Sequence, residues 1–175
     1  MKAIFKQIGG LLTLLGGLML APLLVSLIYQ EYYSALGFLA SGIISAIVGA
    51  ALYYGFWKAP DPYNKHALII AAAGWISIAI LGALPFYIIA WITPIDIAQS
   101  FVPPGETYSS SLLNFRNPLH ALFESMSAYT ATGLTLATHE PSIGNGLLIY
   151  RSIGQWIGGV GFIILSLAIL DRKST

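Results

Sequence analysis

The sequence predicts an all-α membrane protein with four transmembrane helices, one further re-entrant helix and an extended loop after it. Of its 175 residues, 57% are hydrophobic and only 9% are charged, which is more apolar surface than a soluble domain of this length can bury. The charged residues bracket four long uncharged stretches, at 7–30, 32–57, 67–95 and 152–170. Each has about 19 to 29 residues, enough for a helix to cross a hydrocarbon core of roughly 30 Å.

The first stretch follows Lys2 and Lys6, a pattern that secretory signals also show. Its apolar region is too long for a signal and no small-residue cleavage site follows, so we expect a retained helix. The chain contains no cysteine, which excludes disulfides and thiolate metal sites. Its net charge of +1 offers no nucleic-acid-binding patch. The expected partner is therefore a lipid bilayer and not a nucleic acid.

The positions of the basic residues predict the orientation in the membrane. Six of them fall on one side if the chain crosses four times: Lys2, Lys6, Lys58, Lys65, Arg172 and Lys173. The opposite side holds most of the acidic residues, with Arg116 as its clearest cation. We therefore expect a plasma (inner) membrane protein with both termini in the cytoplasm.

The first two spans are predicted to form an N-terminal transmembrane hairpin over residues 1–58, joined by the polar turn 30–34. Pro60-Asp61-Pro62 then interrupts the chain on the predicted cytoplasmic side. The third span should end near 91–94. The stretch 95–115, with two prolines and several serines, is predicted to be an external loop.

A short helix is predicted over 117–129. Asn117 followed by Pro118 favours a helix start, because asparagine caps the first turn and proline needs no amide partner there. Apolar residues then recur at helical spacing: Leu119, Leu122, Phe123 and Met126. The helix should end near Tyr129, before Thr130-Ala131-Thr132-Gly133. About 12 residues give roughly 18 Å, half of a membrane crossing, so we expect the segment to enter and leave on one side.

Non-helical backbone at membrane depth is tolerated only where protein buries it or where it lines a water-filled path. A half-helix that points its negative dipole end toward the membrane centre favours a cation there, and extended backbone can offer carbonyl oxygens to that ion. Gly133 suits this role because glycine adopts backbone angles closed to other residues. The alternative is an ordinary external turn after an amphipathic helix, and composition alone leaves both interpretations open.

Three sequence elements occur in order: residues 123–127 leading into 130–135, then Tyr150-Arg151-Ser152, then Gln155-Trp156-Ile157-Gly158-Gly159-Val160-Gly161. Together they resemble the first membrane–pore–membrane repeat of the Trk/Ktr/HKT superfamily of potassium transporters. The hairpin before them resembles the extra N-terminal helix pair of the TrkH type. The resemblance covers nearly the whole chain.

The resemblance implies one repeat over 66–172, with an outer helix at 67–92, a pore helix at 117–129, a filter at 130–134 and an inner helix at 146–170. It implies a filter lined by the backbone carbonyls of Thr130, Ala131, Thr132, Gly133 and Leu134. In the superfamily, glycine at the Gly133 position accompanies potassium selectivity and serine accompanies sodium. The resemblance thus implies K⁺ as the transported ion, with no other cofactor.

The resemblance also implies partners. Proteins of the superfamily carry four such repeats in one polypeptide, whereas this sequence ends after the first. The remaining three repeats would come from a missing C-terminal part or from other copies, and we favour a fragment because the repeats of the superfamily are unequal. TrkH-type proteins work with a cytoplasmic nucleotide-binding ring, so a regulatory subunit of TrkA type is expected.

Two charged residues fall within predicted membrane helices, where a charge normally has a partner or a function. Our hypothesis is that Glu124 and Arg151 pair and brace the pore helix behind the filter. The alternative is that both lie near the outer surface and are hydrated.

A face of small residues is predicted on the inner helix: Gly154, Gly158, Gly159 and Gly161. Such faces permit close helix packing, which we favour over a gating hinge. His120 and Glu124 lie four residues apart, a spacing that metal sites use, but no third ligand is in sight. An intramembrane hydrolase using these two residues is a weak alternative, so we expect a protein that is not an enzyme. An accessory membrane protein that only scaffolds a larger complex is the structural alternative.

Overall fold

The computed structural model describes residues 1–60 and 67–171, and within these ranges it contains helices and no strand. Four helical segments are long and apolar enough to cross a membrane: Lys2–Ile28, Tyr32–Gly55, Leu68–Ile92 and Asn145–Ile164. The prediction of an all-α membrane protein with four spans is therefore confirmed. Asp61 and Pro62 of the predicted break lie outside the described residues, as do the cations Lys65, Arg172 and Lys173.

The first span consists of two helices in line, α1 (Lys2–Leu18) and α2 (Leu20–Ile28). They are separated only by Met19, which keeps helical backbone angles. The interruption follows from Pro22, since proline lacks the amide that would bond to the carbonyl one turn earlier. The span therefore crosses as one unit with a local irregularity.

The second span, α3 (Tyr32–Gly55), packs closely against the first through glycine. A Cβ atom placed on Gly9 would lie 2.7 Å from the carbonyl oxygen of Gly49, and one placed on Gly16 would lie 2.7 Å from that of Gly42. No larger side chain fits at these positions. The two spans thus pack against each other by backbone-to-backbone contact, as small-residue faces allow.

The third span is built from α4 (Ala67–Gly82) and α5 (Leu84–Ile92), which meet at Ala83 just before Pro85. The segment after it, predicted to be an external loop, contains a short helix, α6 (Ile95–Ser100), and a 3-10 turn at Ser111–Arg116. The Gln99 side chain ties the two parts together by donating to the Tyr108 carbonyl (2.7 Å) and accepting from the Ser110 amide (3.2 Å). These two side-chain bonds hold the end of α6 against the chain that leads into the 3-10 turn.

Two helices complete the chain, α7 (Pro118–Tyr129) and α8 (Asn145–Asp171), with a 3-10 turn at Glu140–Ile143 between them. Asn117 caps α7, its side chain accepting from the Leu119 amide at 3.0 Å. α7 packs between α4 and α8. This arrangement places the residues after α7 beside the third and fourth spans.

Candidate functional site

α7 starts beside the end of the third span and ends beside its middle. At its start, Arg116 Nε donates to the Ala90 carbonyl (2.8 Å) and Trp91 Nε1 donates to the Arg116 carbonyl (3.2 Å). At its far end, Trp75 Nε1 donates to the Tyr129 carbonyl at 3.0 Å. Trp75 and Ala90 are separated by about 15 residues, or roughly 22 Å of helix. α7 therefore runs back along the third span.

The chain after α7 returns to the level at which α7 began. Asn114 Nδ2 donates to the Leu136 carbonyl at 3.1 Å, and the Ser110 hydroxyl donates to the Ser142 carbonyl at 2.6 Å. Asn114 and Ser110 both precede α7 in the sequence. Residues 130–134, which we call the 130–134 loop, therefore lie at the far end of an excursion whose two ends are close together.

The first residues of the 130–134 loop form a Schellman cap on α7. The Ala131 amide donates to the Ala128 carbonyl and the Thr132 amide to the Ser127 carbonyl, both at 3.0 Å, and Ala131 has a φ of 54°. These amides point back into the helix, so the carbonyls of Thr130 and Ala131, on the opposite side of the same peptide groups, are directed away from it. Among the described residues, nothing donates a hydrogen bond to the carbonyl oxygens of residues 130–133, and these residues are exposed.

Gly133 adopts a left-handed backbone conformation, with a φ of 78°. A Cβ atom added there would meet no atom within 4 Å, so the backbone angle, and not lack of space, favours glycine. Leu134 differs from the four residues before it, because its carbonyl accepts from the Ser127 hydroxyl at 2.6 Å. That bond fastens the end of the loop to α7.

The side chains of Glu124 and Arg151 lie together and are buried. Arg151 Nε lies 2.6 Å from Glu124 Oε1. The N–H group of Nε is not aligned for a hydrogen bond to that oxygen, so the contact is an ion pair. The Thr135 hydroxyl donates to Glu124 Oε1 (2.8 Å) and the Leu136 amide to Oε2 (3.0 Å). Arg151 Nη1 also donates to Glu140 at 3.0 Å. One carboxylate thus joins α7, α8 and the segment that follows the 130–134 loop.

The glycines predicted on one face of the inner helix divide into two pairs. A Cβ on Gly154 would lie 3.2 Å from that of Ala128, and one on Gly158 would overlap the Tyr129 carbonyl. Gly159 has no neighbour within 4 Å, and Gly161 lies only within ordinary contact of Trp75. Gly154 and Gly158 therefore lie against α7, whereas Gly159 and Gly161 leave open space within the described chain.

Sequence reasoning missed a set of aromatic residues around the end of α7. The Tyr129 hydroxyl donates to the Tyr150 hydroxyl (3.1 Å), which donates to the Gly82 carbonyl (3.0 Å). Together with the bond from Trp75 to the Tyr129 carbonyl, these contacts connect α4, α7 and α8. Aromatic residues in apolar helices carry no sequence signal beyond burial, so only their polar atoms in the folded chain identify this set.

His120 and Glu124 are directed to different partners. His120 Nδ1 lies 3.0 Å from the Asn114 carbonyl, whereas Glu124 contacts Arg151. No cluster of three metal-ligating side chains occurs in residues 1–60 and 67–171. Neither a metal centre nor a catalytic pair is assembled from these two residues.

The chain is similar in sequence to known cation transport proteins. The family model TrkH, described as a cation transport protein, matches residues 37–174. An uncharacterized cation transporter of Methanocaldococcus jannaschii is 30% identical over 99% of this chain and 31% of its own length. The Trk system potassium uptake protein TrkH of Vibrio parahaemolyticus is 30% identical over 97% of this chain, and that of Escherichia coli is 29% identical over 97%. The chain spans about 30% of the length of either TrkH protein.

Proposed function

The chain belongs to the TrkH family of cation transport proteins, and we propose that it supplies one pore loop of a potassium uptake system. The observation that supports this proposal most directly is that residues 130–133 are exposed and that their carbonyl oxygens accept no hydrogen bond among the described residues. These residues lie at the tip of an excursion between two candidate spans. Carbonyl oxygens are the groups that replace the hydration shell of a potassium ion. The 130–134 loop is therefore the proposed selectivity filter, with α7 as a re-entrant pore helix.

The orientation of α7 supports a cation at this place. Its C-terminal end, where the partial charge of a helix is negative, leads directly into the 130–134 loop. The four carbonyl oxygens of residues 130–133 that accept no hydrogen bond add further partial negative charge at this place. Gly133 keeps its left-handed backbone without a side chain that would project into the ion path. The resemblance of Gly133 to the potassium-type glycine of the superfamily makes K⁺ the proposed ion.

The ion pair of Glu124 and Arg151 is proposed to brace the filter. Glu124 holds the segment after the loop through Thr135 and Leu136, and Arg151 fixes Glu124 from α8. A buried ion pair contributes little net stability, but removal of one partner is costly because it leaves an uncompensated charge. The pair therefore defines one position of the loop relative to α7 and α8.

One loop offers carbonyls from one direction, so the proposed filter needs three further repeats around it. We assign residues 1–58 to the N-terminal hairpin and 66–172 to the first repeat, with the other repeats from a longer polypeptide or other copies. A TrkA-type nucleotide-binding subunit is the proposed cytoplasmic partner. The distribution of Lys and Arg supports an inner-membrane location with both termini in the cytoplasm.

The alternative of an accessory scaffold predicts that Thr132 and Gly133 tolerate bulky substitution without effect on ion flux. It gives no reason for a row of unbonded carbonyls beside two spans. The hydrolase alternative requires His120 and Glu124 to act together, whereas they contact different groups. Neither alternative gains support from the geometry.

The test uses a chimera, in which this chain replaces the matching segment of a full-length TrkH relative. Potassium and sodium uptake are measured in cells that lack their own potassium uptake systems, with and without Gly133→Ser. The chain alone is expressed in parallel, which distinguishes self-assembly from dependence on further repeats. We expect the chimera to take up potassium and Gly133→Ser to lose selectivity against sodium.

Gly105→Ser is the matched control. Gly105 also has a left-handed φ, of 94°, and no neighbour within 4 Å of an added Cβ, but it lies in the external segment. Gly105→Ser should therefore leave the selectivity for potassium over sodium unchanged. If Gly133→Ser behaves like Gly105→Ser in a chimera that reaches the membrane, the pore-loop proposal is wrong.

A further inference from the structure

We infer that the N-terminal hairpin positions α8 through the carboxylate of Glu31, and thereby sets how strongly the 130–134 loop prefers potassium to sodium. The inference rests on the proposed function of that loop. It adds a positioning residue from a helix pair that does not itself contribute to the loop, and so gives the hairpin a role in selectivity.

Glu31 lies between α2 and α3, and only 6% of its surface is exposed. Its Oε1 accepts from the backbone amide (2.6 Å) and the side chain (3.1 Å) of Asn145, and its Oε2 accepts from the Gly146 amide (3.1 Å). In the described chain, no Lys or Arg forms an ion pair with it. The first amides of a helix have no partner within that helix and carry partial positive charge. They therefore balance this buried carboxylate.

α8 cannot cap itself. Gly144 occupies its N-cap position, as the bond from the Leu148 amide to the Gly144 carbonyl (3.1 Å) shows, and glycine has no side-chain acceptor. A Cβ on Gly144 would lie 3.1 Å from Glu31 Oε2. Glu31 thus takes the place of the missing cap, from 114 residues earlier in the sequence.

The hairpin fixes the position of Glu31 independently of α8. Gln30 has a φ of 59°, and the amides of Gln30 and Glu31 donate to the carbonyls of Leu27 (3.1 Å) and Ser26 (2.8 Å). This is a Schellman cap that ends α2 with a sharp turn. Both bonds lie within the hairpin, so the backbone of Glu31 is fixed without any contact to α8. Its carboxylate is therefore already in place as an acceptor for the first amides of α8.

Close packing holds the same end of α8 against the hairpin. A Cβ on Gly146 would overlap the Ser26 hydroxyl and lie 3.1 Å from the Phe38 ring. The rings of Phe38 and Tyr150 are in edge contact, with centroids 5.5 Å apart. The first two turns of α8 therefore have little freedom to shift or rotate while Glu31 is engaged.

Those turns carry the groups that hold α7. Tyr150 accepts from the Tyr129 hydroxyl, and Arg151 pairs with Glu124. A shift of the start of α8 would move both contacts together, and with them the ends of the 130–134 loop. Glu31 acts on the loop only through these residues.

The experiment compares Glu31→Gln with Glu106→Gln in the chimera, at equal amounts of protein in the membrane. Glu106 is an exposed acid of the external segment, so it controls for the change in charge. We expect Glu31→Gln to lower the ratio of potassium to sodium uptake, because a neutral amide no longer balances the partial positive charge at the start of α8. Glu106→Gln should leave the ratio unchanged. A role in folding alone would reduce both uptakes in proportion, and an unchanged ratio overturns the inference.

Asn145→Ala is the second variant, for use even if Glu31→Gln fails to reach the membrane. It removes one donor to Glu31 at an exposed position and leaves both backbone amides in place. It should lower the ratio in the same direction, and a ratio equal to that of the parent overturns the inference. Gly133→Ser, measured in parallel, distinguishes failure of this inference from failure of the proposed filter. If only Gly133→Ser lowers the ratio, the role of Glu31 is wrong and the filter stands; if Gly133→Ser has no effect, the filter proposal itself fails.

Discussion

Arg151 Nε lies 2.6 Å from Glu124 Oε1, and the same carboxylate accepts from Thr135 and Leu136. Behind the 130–134 loop, one buried anion thus meets a cation from α8 and two donors from the returning chain. Exchange of the two charges would place a guanidinium against those donors. A test by neutral replacements is therefore cleaner than a charge swap.

The first prediction concerns this ion pair. Glu124→Gln should lower the free energy of unfolding by about 3 to 5 kcal/mol, because it leaves Arg151 buried without its main partner. Glu124→Gln combined with Arg151→Met should recover part of that loss. Denaturant unfolding of the purified chain measures both.

Glu140→Gln is the control for the pair. Its side chain is half exposed, so its contact with Arg151 should contribute about 1 kcal/mol or less. If the double variant loses as much stability as Glu124→Gln alone and Arg151→Met alone added together, Glu124 and Arg151 are not coupled.

The second prediction concerns the indole of Trp75. Trp75→Phe removes the donor to the Tyr129 carbonyl, the last carbonyl of α7 before the loop, and should lower the ratio of potassium to sodium uptake in the chimera. Trp91→Phe removes an equivalent bond, to the Arg116 carbonyl at the other end of α7, and should leave the ratio unchanged. Equal effects of both variants would show that Trp75 acts on α7 as a whole and not on the loop.

The third prediction uses adjacent glycines of α8. Gly158→Ala should destabilise the chain by about 1 to 3 kcal/mol, because its Cβ would overlap the Tyr129 carbonyl. Gly159→Ala meets no neighbour within 4 Å and should raise stability by up to about 1 kcal/mol through helix propensity. Thermal unfolding in detergent measures both changes. A stable Gly158→Ala variant with altered gating would instead favour the hinge interpretation of this glycine face.

The fourth prediction concerns Ala131, which caps α7 with a left-handed φ of 54°. Ala131→Gly should stabilise the chain by about 0.5 to 1 kcal/mol, since only glycine adopts this conformation without a steric cost. Gln30 occupies the equivalent position at the end of α2, so Gln30→Gly should give a similar gain. A loss of stability in both variants would contradict the assignment of Schellman caps at these helix ends.

Much of the fold could be predicted because its signals are local. Apolar stretches long enough to cross a bilayer stand out between charged residues, and Asn117-Pro118 marks a helix start by its own chemistry. Gly133 has a positive φ, a backbone conformation that favours glycine. The short helix at Ile95–Ser100 was not predicted, because the Gln99 side chain and contacts with the two 3-10 turns order that segment, whereas its composition favours a loop.

By itself the sequence determined the membrane class, the number of spans and the half-length helix before the 130–134 loop, since each follows from hydrophobicity and capping along neighbouring residues. Only the tertiary structure decided what holds the loop. Trp75 reaches the Tyr129 carbonyl across 54 residues, and Glu31 reaches Asn145 across 114. Such partners lie far apart in the chain, so no local pattern can pair them. They meet because the helices pack in one arrangement that gives their buried polar atoms partners away from water.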